Sequence, residues 1–170
     1  MKRTILFGII IVLVLGIGGK MYMDKEKEKK ELLAVQADLA NYLYNNYVLY
    51  TVDEKKEQEI FKEFNKGNGS LSESQYFEKL DALKEYSKIN KVEFTKFVVT
   101  PMNTVRVYFV INDVYKEDIF LDKVSAETNK LMYTVSTHSG DGPYYIEEKP
   151  EKTAKIMPEE DIVYYEGVIK

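Results

Sequence analysis

The chain contains no cysteine and no tryptophan, and its 170 residues include a single histidine. Without cysteine there can be no disulfide, no thiolate metal site, no cysteine nucleophile and no lipid-modified N-terminal cysteine. One histidine cannot by itself form a zinc ligand set. These absences exclude most of the chemistry that small disulfide-bonded domains and metalloenzymes use.

The remaining residues give little support for catalysis. His138 lies beside Ser139 and Asp141, but the members of a catalytic triad must converge from separated positions, and neighbours in a glycine loop cannot do so. Asp141 is the one carboxylate of that loop, which is too few for a calcium site. Paired acids such as Glu147 and Glu148 are typical of a solvated surface in so charged a chain. We therefore expect no enzymatic activity, no cofactor and no bound metal.

A long apolar run follows the first basic residues. Residues 5–19 would make a helix of about 22 Å, which is short for a hydrocarbon core of about 30 Å. Residues 4–23 reach that thickness if Lys20 extends its ammonium group toward the headgroups and Tyr22 lies at the interface. The sequence therefore predicts a transmembrane anchor over residues 1–23, in contact with the lipid bilayer through residues 4–23.

Two alternatives to this anchor remain open. A cleaved secretory signal would require small residues in an A-x-A-like pattern, for which residues 16–18 are a weak substitute. A cytoplasmic domain is favoured by the positive-inside rule, since five lysines over residues 20–30 outnumber Lys2 and Arg3. The leader-like start and the acids interspersed among those lysines favour the opposite orientation. We expect an uncleaved single-pass protein of the cell membrane with its C-terminal domain outside.

The charge is distributed unevenly along the chain. Residues 1–30 hold seven bases and three acids, which is a net charge of +4. Because the whole chain has a net charge of −4, residues 31–170 carry a net charge of −8. We predict a charged stalk over residues 24–31 and a single extracytoplasmic domain over residues 32–170. Its negative field would repel nucleic acid and favour a basic protein partner, or a partner with a basic patch. Tyrosine, with fourteen residues, is common at protein interfaces.

Three helices are predicted before residue 88. A helix over residues 25–47 is indicated by apolar positions at spacings of three and four. A second helix covers residues 53–65 and ends at the glycines of 67–69. A third begins at Ser72, which forms a capping box with Gln75. The second and third helices should pack as a hairpin. The apolar positions of the first helix are Leu32, Val35, Leu39, Leu43 and Tyr47.

Beyond residue 89 the apolar period changes from 3.6 to 2, which predicts strands. Short connections between sequential strands favour an antiparallel meander, covered on one face by the preceding helices. The expected class is α+β: a transmembrane helix continuing into a stalk helix, a helical hairpin, and a four- to five-stranded antiparallel β-meander. The predicted strands cover residues 91–100, 104–112, 118–124 and 131–137, with a last strand over 161–165.

The predicted core joins the sheet to the helices through faces of matching period. The sheet should contribute alternate residues of its second strand, and the helices their apolar faces. The predicted core residues are Val105, Val107, Phe109, Ile111, Leu39, Leu43, Leu80 and Leu83.

Three short segments carry a resemblance to other proteins. Residues 92–95 read Val-Glu-Phe-Thr, residues 100–103 read Thr-Pro-Met-Asn, and residues 108–113 read Tyr-Phe-Val-Ile-Asn-Asp. This pattern resembles a family of small membrane-anchored or lipoprotein-like proteins of unknown function from low-GC Gram-positive bacteria, in which a Pro-Met-Gly turn precedes a strand ending in Tyr-Ile-Asn-Asp. Asn103 replaces the family's glycine, and residues 53–88 look like an insertion. The resemblance implies no catalytic residue.

Anchored acidic proteins of this size also resemble immunity proteins, which protect a producing cell from secreted antibacterial toxins. We therefore expect a non-enzymatic, membrane-anchored extracytoplasmic protein-binding domain, of the immunity type. The alternatives are a cell-envelope structural or accessory subunit and a small-ligand-binding module. Partner binding is expected at acidic and aromatic residues near the C-terminus, because loops on a rigid sheet often carry binding residues. These residues are Asp141, Tyr144, Tyr145, Glu147, Glu148, Glu159, Glu160 and Asp161.

Overall fold

The structure, a computed structural model, describes residues 25–66, 71–128, 130–136 and 143–169. These residues form an α+β fold with three α-helices and two β-sheets. The elements are α1 (Lys25–Asn46), β1 (Tyr47–Thr51), α2 (Glu54–Asn65), α3 (Glu73–Asp81), β2 (Glu85–Ser87), β3 (Val92–Val99), β4 (Val105–Ile111), β5 (Tyr115–Leu121), β6 (Tyr144–Glu148), a 3-10 turn (Glu159–Asp161) and β7 (Ile162–Val163).

Helix α1 lies at the centre of the core, as its apolar spacing predicts. The five apolar positions named above are all buried, and Leu39 and Leu43 have no exposed surface. They belong to one continuous hydrophobic core with alternate residues of β4, namely Val105, Val107 and Phe109. The helix ends at Asn46, and Tyr47 begins β1, where β-branched and aromatic residues follow.

The larger sheet has the strand order β5-β4-β3-β7. Its hairpins depend on residues that tolerate positive φ. Asn103 adopts a φ of 60° at the end of the β3–β4 connection, and Asn112 and Asp113 adopt 51° and 62° between β4 and β5. Positive φ at both central residues is what a type I′ hairpin turn requires. The asparagine at 103 therefore supplies the conformation that glycine would otherwise provide.

The meander has three strands, and the prediction of a fourth over residues 131–137 is wrong. The described part of that segment contributes one isolated bridge, between Val124 and Leu131. Tyr133 instead packs on α1, where its hydroxyl donates to Asp38 Oδ2 at 2.8 Å and its carbonyl accepts from the Tyr42 hydroxyl at 3.1 Å. These bonds attach the segment to the helix, and β7 takes the fourth place in the sheet by pairing parallel to β3.

The prediction that Leu80 and Leu83 of the helical hairpin belong to the core is also wrong. No residue of α2 or α3 is buried, and Leu80 and Leu83 are half-buried. The inner face of β4 already shares its core with α1, so the hairpin has no access to it. It lies instead beside a second, three-stranded sheet of order β2-β1-β6 that the sequence did not indicate.

Asparagine side chains of α1 hold the C-terminal segment in place. Asn45 pairs with both backbone groups of Lys155: its Oδ1 accepts from the amide at 2.8 Å and its Nδ2 donates to the carbonyl at 2.7 Å. Asn41 Oδ1 accepts from the Met157 amide at 2.7 Å. These contacts satisfy backbone groups that belong to no sheet.

Within the described ranges, no helix is both long enough and apolar enough to cross a membrane. The predicted anchor over residues 1–23 lies outside those ranges. The predicted stalk over residues 24–31 overlaps α1 from Lys25 onward, where the side chains of Lys27 to Lys30 are exposed and those of Glu31 and Leu32 are buried.

Candidate binding face

Three tyrosines form a row across the outer face of the small sheet. Tyr47 and Leu49 of β1 point into the core, so the alternation of the strand directs Tyr50 outward. Tyr50 pairs in register with Tyr86 of β2 on one side and with Tyr145 of β6 on the other. The ring centroids of Tyr50 and Tyr145 are 5.4 Å apart in a stacked arrangement, and those of Tyr50 and Tyr86 are 6.0 Å apart.

A lysine and a glutamate fix this row. Lys84 Nζ lies 4.8 Å from the centre of the Tyr50 ring and 2.8 Å from Glu147 Oε2. The other oxygen of Glu147 accepts from the Tyr86 hydroxyl at 2.7 Å. Asp81 Oδ1 completes the cluster at 2.9 Å from the same lysine. The cation–π contact orders the Tyr50 ring, the hydrogen bond to Glu147 orders the Tyr86 ring, and Tyr145 is held by stacking on Tyr50.

The electrostatics of the cluster keep Lys84, Tyr50 and Tyr86 in their usual charge states. Burial lowers the pKa of Lys84, but hydrogen bonds to Glu147 and Asp81 outweigh it and raise that pKa well above its ordinary value. Burial, and then the Glu147 hydrogen bond, raise the pKa of Tyr86. Burial also raises the pKa of Tyr50, where Lys84 opposes the effect. At neutral pH the lysine is charged and both phenols are neutral.

The helical hairpin borders this row and is held together by local chemistry. Asp53 caps α2 by accepting from the amides of Lys55 and Lys56, and Ser72 and Gln75 form the predicted capping box at α3. Between the helices, Phe64 stacks on Tyr76 with centroids 4.4 Å apart. Lys79 Nζ lies 2.9 Å from Glu63 Oε2. The hairpin is therefore packed, as predicted, although it contributes nothing to the core.

Large aromatic side chains of the hairpin remain exposed. Phe61 and Phe77 are each 55% exposed, and Tyr86 on the neighbouring strand is 54% exposed. Together with the tyrosine row they make a continuous set of rings that we name the aromatic face. Its residues are Tyr50, Phe61, Tyr76, Phe77, Tyr86 and Tyr145.

A groove of about 300 Å³ opens where α2 meets β6. Its apolar walls are the rings of Phe61, Tyr76 and Tyr145. Its polar walls are Glu54, Glu57 and Gln58. Neither Glu54 nor Glu57 forms an ion pair with another described residue. The groove therefore combines aromatic surface with two carboxylates that are not paired with a base among the described residues.

Two other surfaces are less suited to a ligand. A depression of about 320 Å³ on α3 has no aromatic wall, and its lysine, Lys79, is already paired with Glu63. On the outer face of the larger sheet, Arg106 forms a two-pronged ion pair with Asp118 and lies between the rings of Tyr108 and Phe120. The charge of Arg106 is therefore already paired with that of Asp118 within this surface.

The structure separates the residues predicted to bind a partner. Tyr144, Tyr145, Glu147 and Glu148 belong to β6 in the small sheet. Glu159, Glu160 and Asp161 form the 3-10 turn that leads into β7, at the edge of the other sheet. Asp141 lies outside the described residues. Within β6, Tyr145 and Glu147 point to the same side as Tyr50, whereas Ile146 points into the core.

Sequence reasoning missed five members of the face, namely Tyr50, Phe61, Tyr76, Phe77 and Tyr86. A signal was present for Tyr50, because it occupies the outward position of a short β-rich segment. No local pattern could show that Tyr86 and Tyr145 flank it, since their strands come from distant parts of the chain.

No group of three or more histidine or acidic side chains is placed to hold a metal ion among the described residues. His138 and Asp141 lie outside those ranges. The resolved arrangement is one of rings, paired charges and an open groove, which suits recognition by surface contact.

Comparison with protein-family models, curated proteins and solved structures found no match for this chain. The resemblance to the family with the Pro-Met-Gly turn, and to immunity proteins, stays a prediction. The fold and the aromatic face are therefore the basis for the functional proposal.

Proposed function

We propose that this chain is a non-enzymatic protein-binding domain and that the aromatic face is its binding surface. The observation that carries the proposal is the exposure of Phe61 and Phe77 on a hairpin that buries no residue. Exposed aromatic surface beside a rigid sheet is a common feature of protein interaction sites. Helices α2 and α3 make no contribution to the core, so burial in the core does not account for the exposed rings of Phe61 and Phe77.

The preformed tyrosine row adds to this argument. Tyrosine contributes a large contact area at a low cost in conformational entropy, and here Lys84, Glu147 and the stacking of Tyr145 on Tyr50 already order the three rings. A partner would therefore meet a surface that needs little ordering on binding. The net negative charge of the domain favours a basic partner segment.

The cellular context of the proposal comes from the sequence. We propose that residues 1–23 anchor the chain in the membrane with the domain outside, and that the domain neutralises a secreted antibacterial toxin as an immunity-type protein. Protease added to cells without their wall should then digest the domain while a cytoplasmic control protein survives. Complete protection of the domain would place it inside.

Site-specific photo-cross-linking tests the binding surface in cells that express the full chain. Replacing Phe77 with p-benzoylphenylalanine should give one discrete cross-linked product on irradiation, because this position lies within the aromatic face. The matched control places the same group at Met102, which is 83% exposed in the β3–β4 turn. Equal cross-linking at both positions, or none at Phe77, would reject the aromatic face as the interface.

The immunity-type form has its own test. Cells lacking the gene should become sensitive to toxin secreted by their siblings, and expression of the full chain should restore resistance. A variant with Tyr50→Ala and Tyr86→Ala should fail to restore it although it is present at normal abundance. Resistance that does not depend on the gene would leave a cell-envelope accessory role as the better interpretation.

A further inference from the structure

We infer that the groove between α2 and β6 binds one arginine side chain of a basic segment of the partner protein. This inference rests on the proposed function and adds to it the chemistry of the contact. The three rings and two carboxylates that line the groove are the features from which it is argued.

The walls of the groove match a guanidinium group. Cations are attracted to the faces of aromatic rings, and the planar guanidinium of arginine stacks on rings while it donates up to five hydrogen bonds. Phe61, Tyr76 and Tyr145 provide the rings. Glu54 and Glu57 provide acceptors on the same rim. Lysine, with a compact and strongly hydrated ammonium group, fits such walls less well.

The size of the groove suits a single side chain. Pockets for whole small molecules start at about 300 Å³, so this groove lies at the lower limit of that range. It is open to solvent, which allows a side chain to enter while the rest of its peptide lies across the aromatic face.

The position of Glu54 and Glu57 has a simpler explanation, but that explanation does not account for the aromatic rings that line the same groove. Glu54 and Glu57 lie in the first turn of α2, where negative charge stabilises the helix dipole. That effect requires no aromatic neighbours. Lys56, the basic residue paired in this turn, lies 3.7 Å from Asp53 and leaves both glutamates without a partner among the described residues.

The test is an NMR titration of the full chain in a neutral detergent. The probe is a blocked Gly-Arg-Gly peptide, and its control is the same peptide with citrulline, which keeps the shape of arginine and removes the charge. The arginine peptide should shift the ring signals of Phe61 and Tyr145 in a saturable manner, and the citrulline peptide should bind at least about 5-fold more weakly. Equal binding of the two peptides, or no binding of the arginine peptide, would overturn the inference.

Matched variants locate the site. Phe61→Ala should weaken arginine binding by about 5-fold or more, whereas Phe120→Ala, at an exposed phenylalanine of β5 in the larger sheet, should change it by less than about 2-fold. Glu57→Gln should weaken binding by roughly 3- to 10-fold, and Glu59→Gln on the same helix should have little effect. Equal effects of the members of either pair would show that the peptide binds elsewhere.

The two proposals can fail separately. Cross-linking of a partner at Phe77 together with equal binding of arginine and citrulline would reject the arginine site and keep the interface. Saturable arginine binding without any cross-linked partner would support the groove as an arginine-binding site and would reject the protein-binding function.

Discussion

Gln36, in the middle of α1, pairs through its side-chain amide with both backbone groups of Tyr165. Its Oε1 accepts from the Tyr165 amide at 2.7 Å, and its Nε2 donates to the Tyr165 carbonyl at 3.2 Å. Gln36 has no exposed surface, and the Tyr165 ring stacks on Phe97 of β3. One buried side chain therefore connects the central helix to the segment that follows β7.

Replacement of the buried Gln36 should destabilise the fold more than replacement of an exposed polar residue would. Gln36→Leu removes both partners of the Tyr165 backbone, and we expect a loss of about 2 kcal/mol in the free energy of unfolding. Gln58→Leu, on the solvated surface of α2, should change it by less than about 0.5 kcal/mol. Thermal unfolding of the full chain followed by circular dichroism measures both. Similar melting temperatures for the two variants would contradict the role given to Gln36.

The hydrogen bonds of Asn41 and Asn45 in α1 predict the hydrogen-exchange rates of two individual backbone amides. Asn45→Ala should accelerate exchange of the Lys155 amide, and Asn41→Ala should accelerate that of Met157, because each variant removes the acceptor of that amide. Each variant serves as the control for the other. Acceleration of both amides in both variants would mean that the C-terminal segment opens as a unit.

Sequence reasoning succeeded where the determinants are close along the chain. The capping box of Ser72 and Gln75, the apolar face of α1 and the positive φ of Asn103 each depend on a few neighbouring residues. It failed where pairing joins distant segments. The β-rich pattern of residues 131–137 predicted a strand, but hydrogen bonds of Tyr133 to α1 hold the described part of that segment outside the sheet.

Of the aromatic face, only Tyr145 was expected from the sequence, for the same reason. Tyr145 and Glu147 were expected to bind a partner from local composition alone, and they do lie beside Tyr50. The turn at residues 159–161 shares that acidic composition but belongs to the edge of the other sheet. Composition shows which side chains could bind, and the pairing of strands determines which of them meet.

The core prediction leads to a test of packing. Phe109 is buried on the inner face of β4, so Phe109→Ala should cost about 3 to 5 kcal/mol in the free energy of unfolding. Phe120 on β5 is 42% exposed, and Phe120→Ala should cost less than about 1 kcal/mol. Leu80→Ala should resemble the second variant, because α3 is outside the core. A loss of about 3 to 5 kcal/mol in the free energy of unfolding for Leu80→Ala would show that the helical hairpin does contribute to the core.

Alkaline pH should destabilise the fold through the tyrosines packed around α1. Burial, and then the charge and hydrogen bond of Asp38, raise the pKa of Tyr133 far above its ordinary value near 10. Burial and a hydrogen bond with Tyr42 also raise the pKa of Tyr47. The unfolded chain releases these protons near pH 10, whereas the folded chain retains them. Their stabilising contribution is therefore fully present below about pH 10 and is lost as the pH rises further.

Tyr133→Phe separates this contribution from general alkaline effects. The variant should lose about 1 kcal/mol at neutral pH with the Asp38 hydrogen bond. Above pH 10 its free energy of unfolding should fall less steeply than that of the wild-type chain, by about 1.4 kcal/mol per pH unit, because one proton fewer is released on unfolding. Tyr108→Phe removes a hydroxyl from the outer face of the larger sheet and serves as the control. Urea unfolding at pH 7, 10 and 11 measures the slopes, and equal slopes for Tyr133→Phe and the wild-type chain would show that Tyr133 does not hold its proton in the folded state.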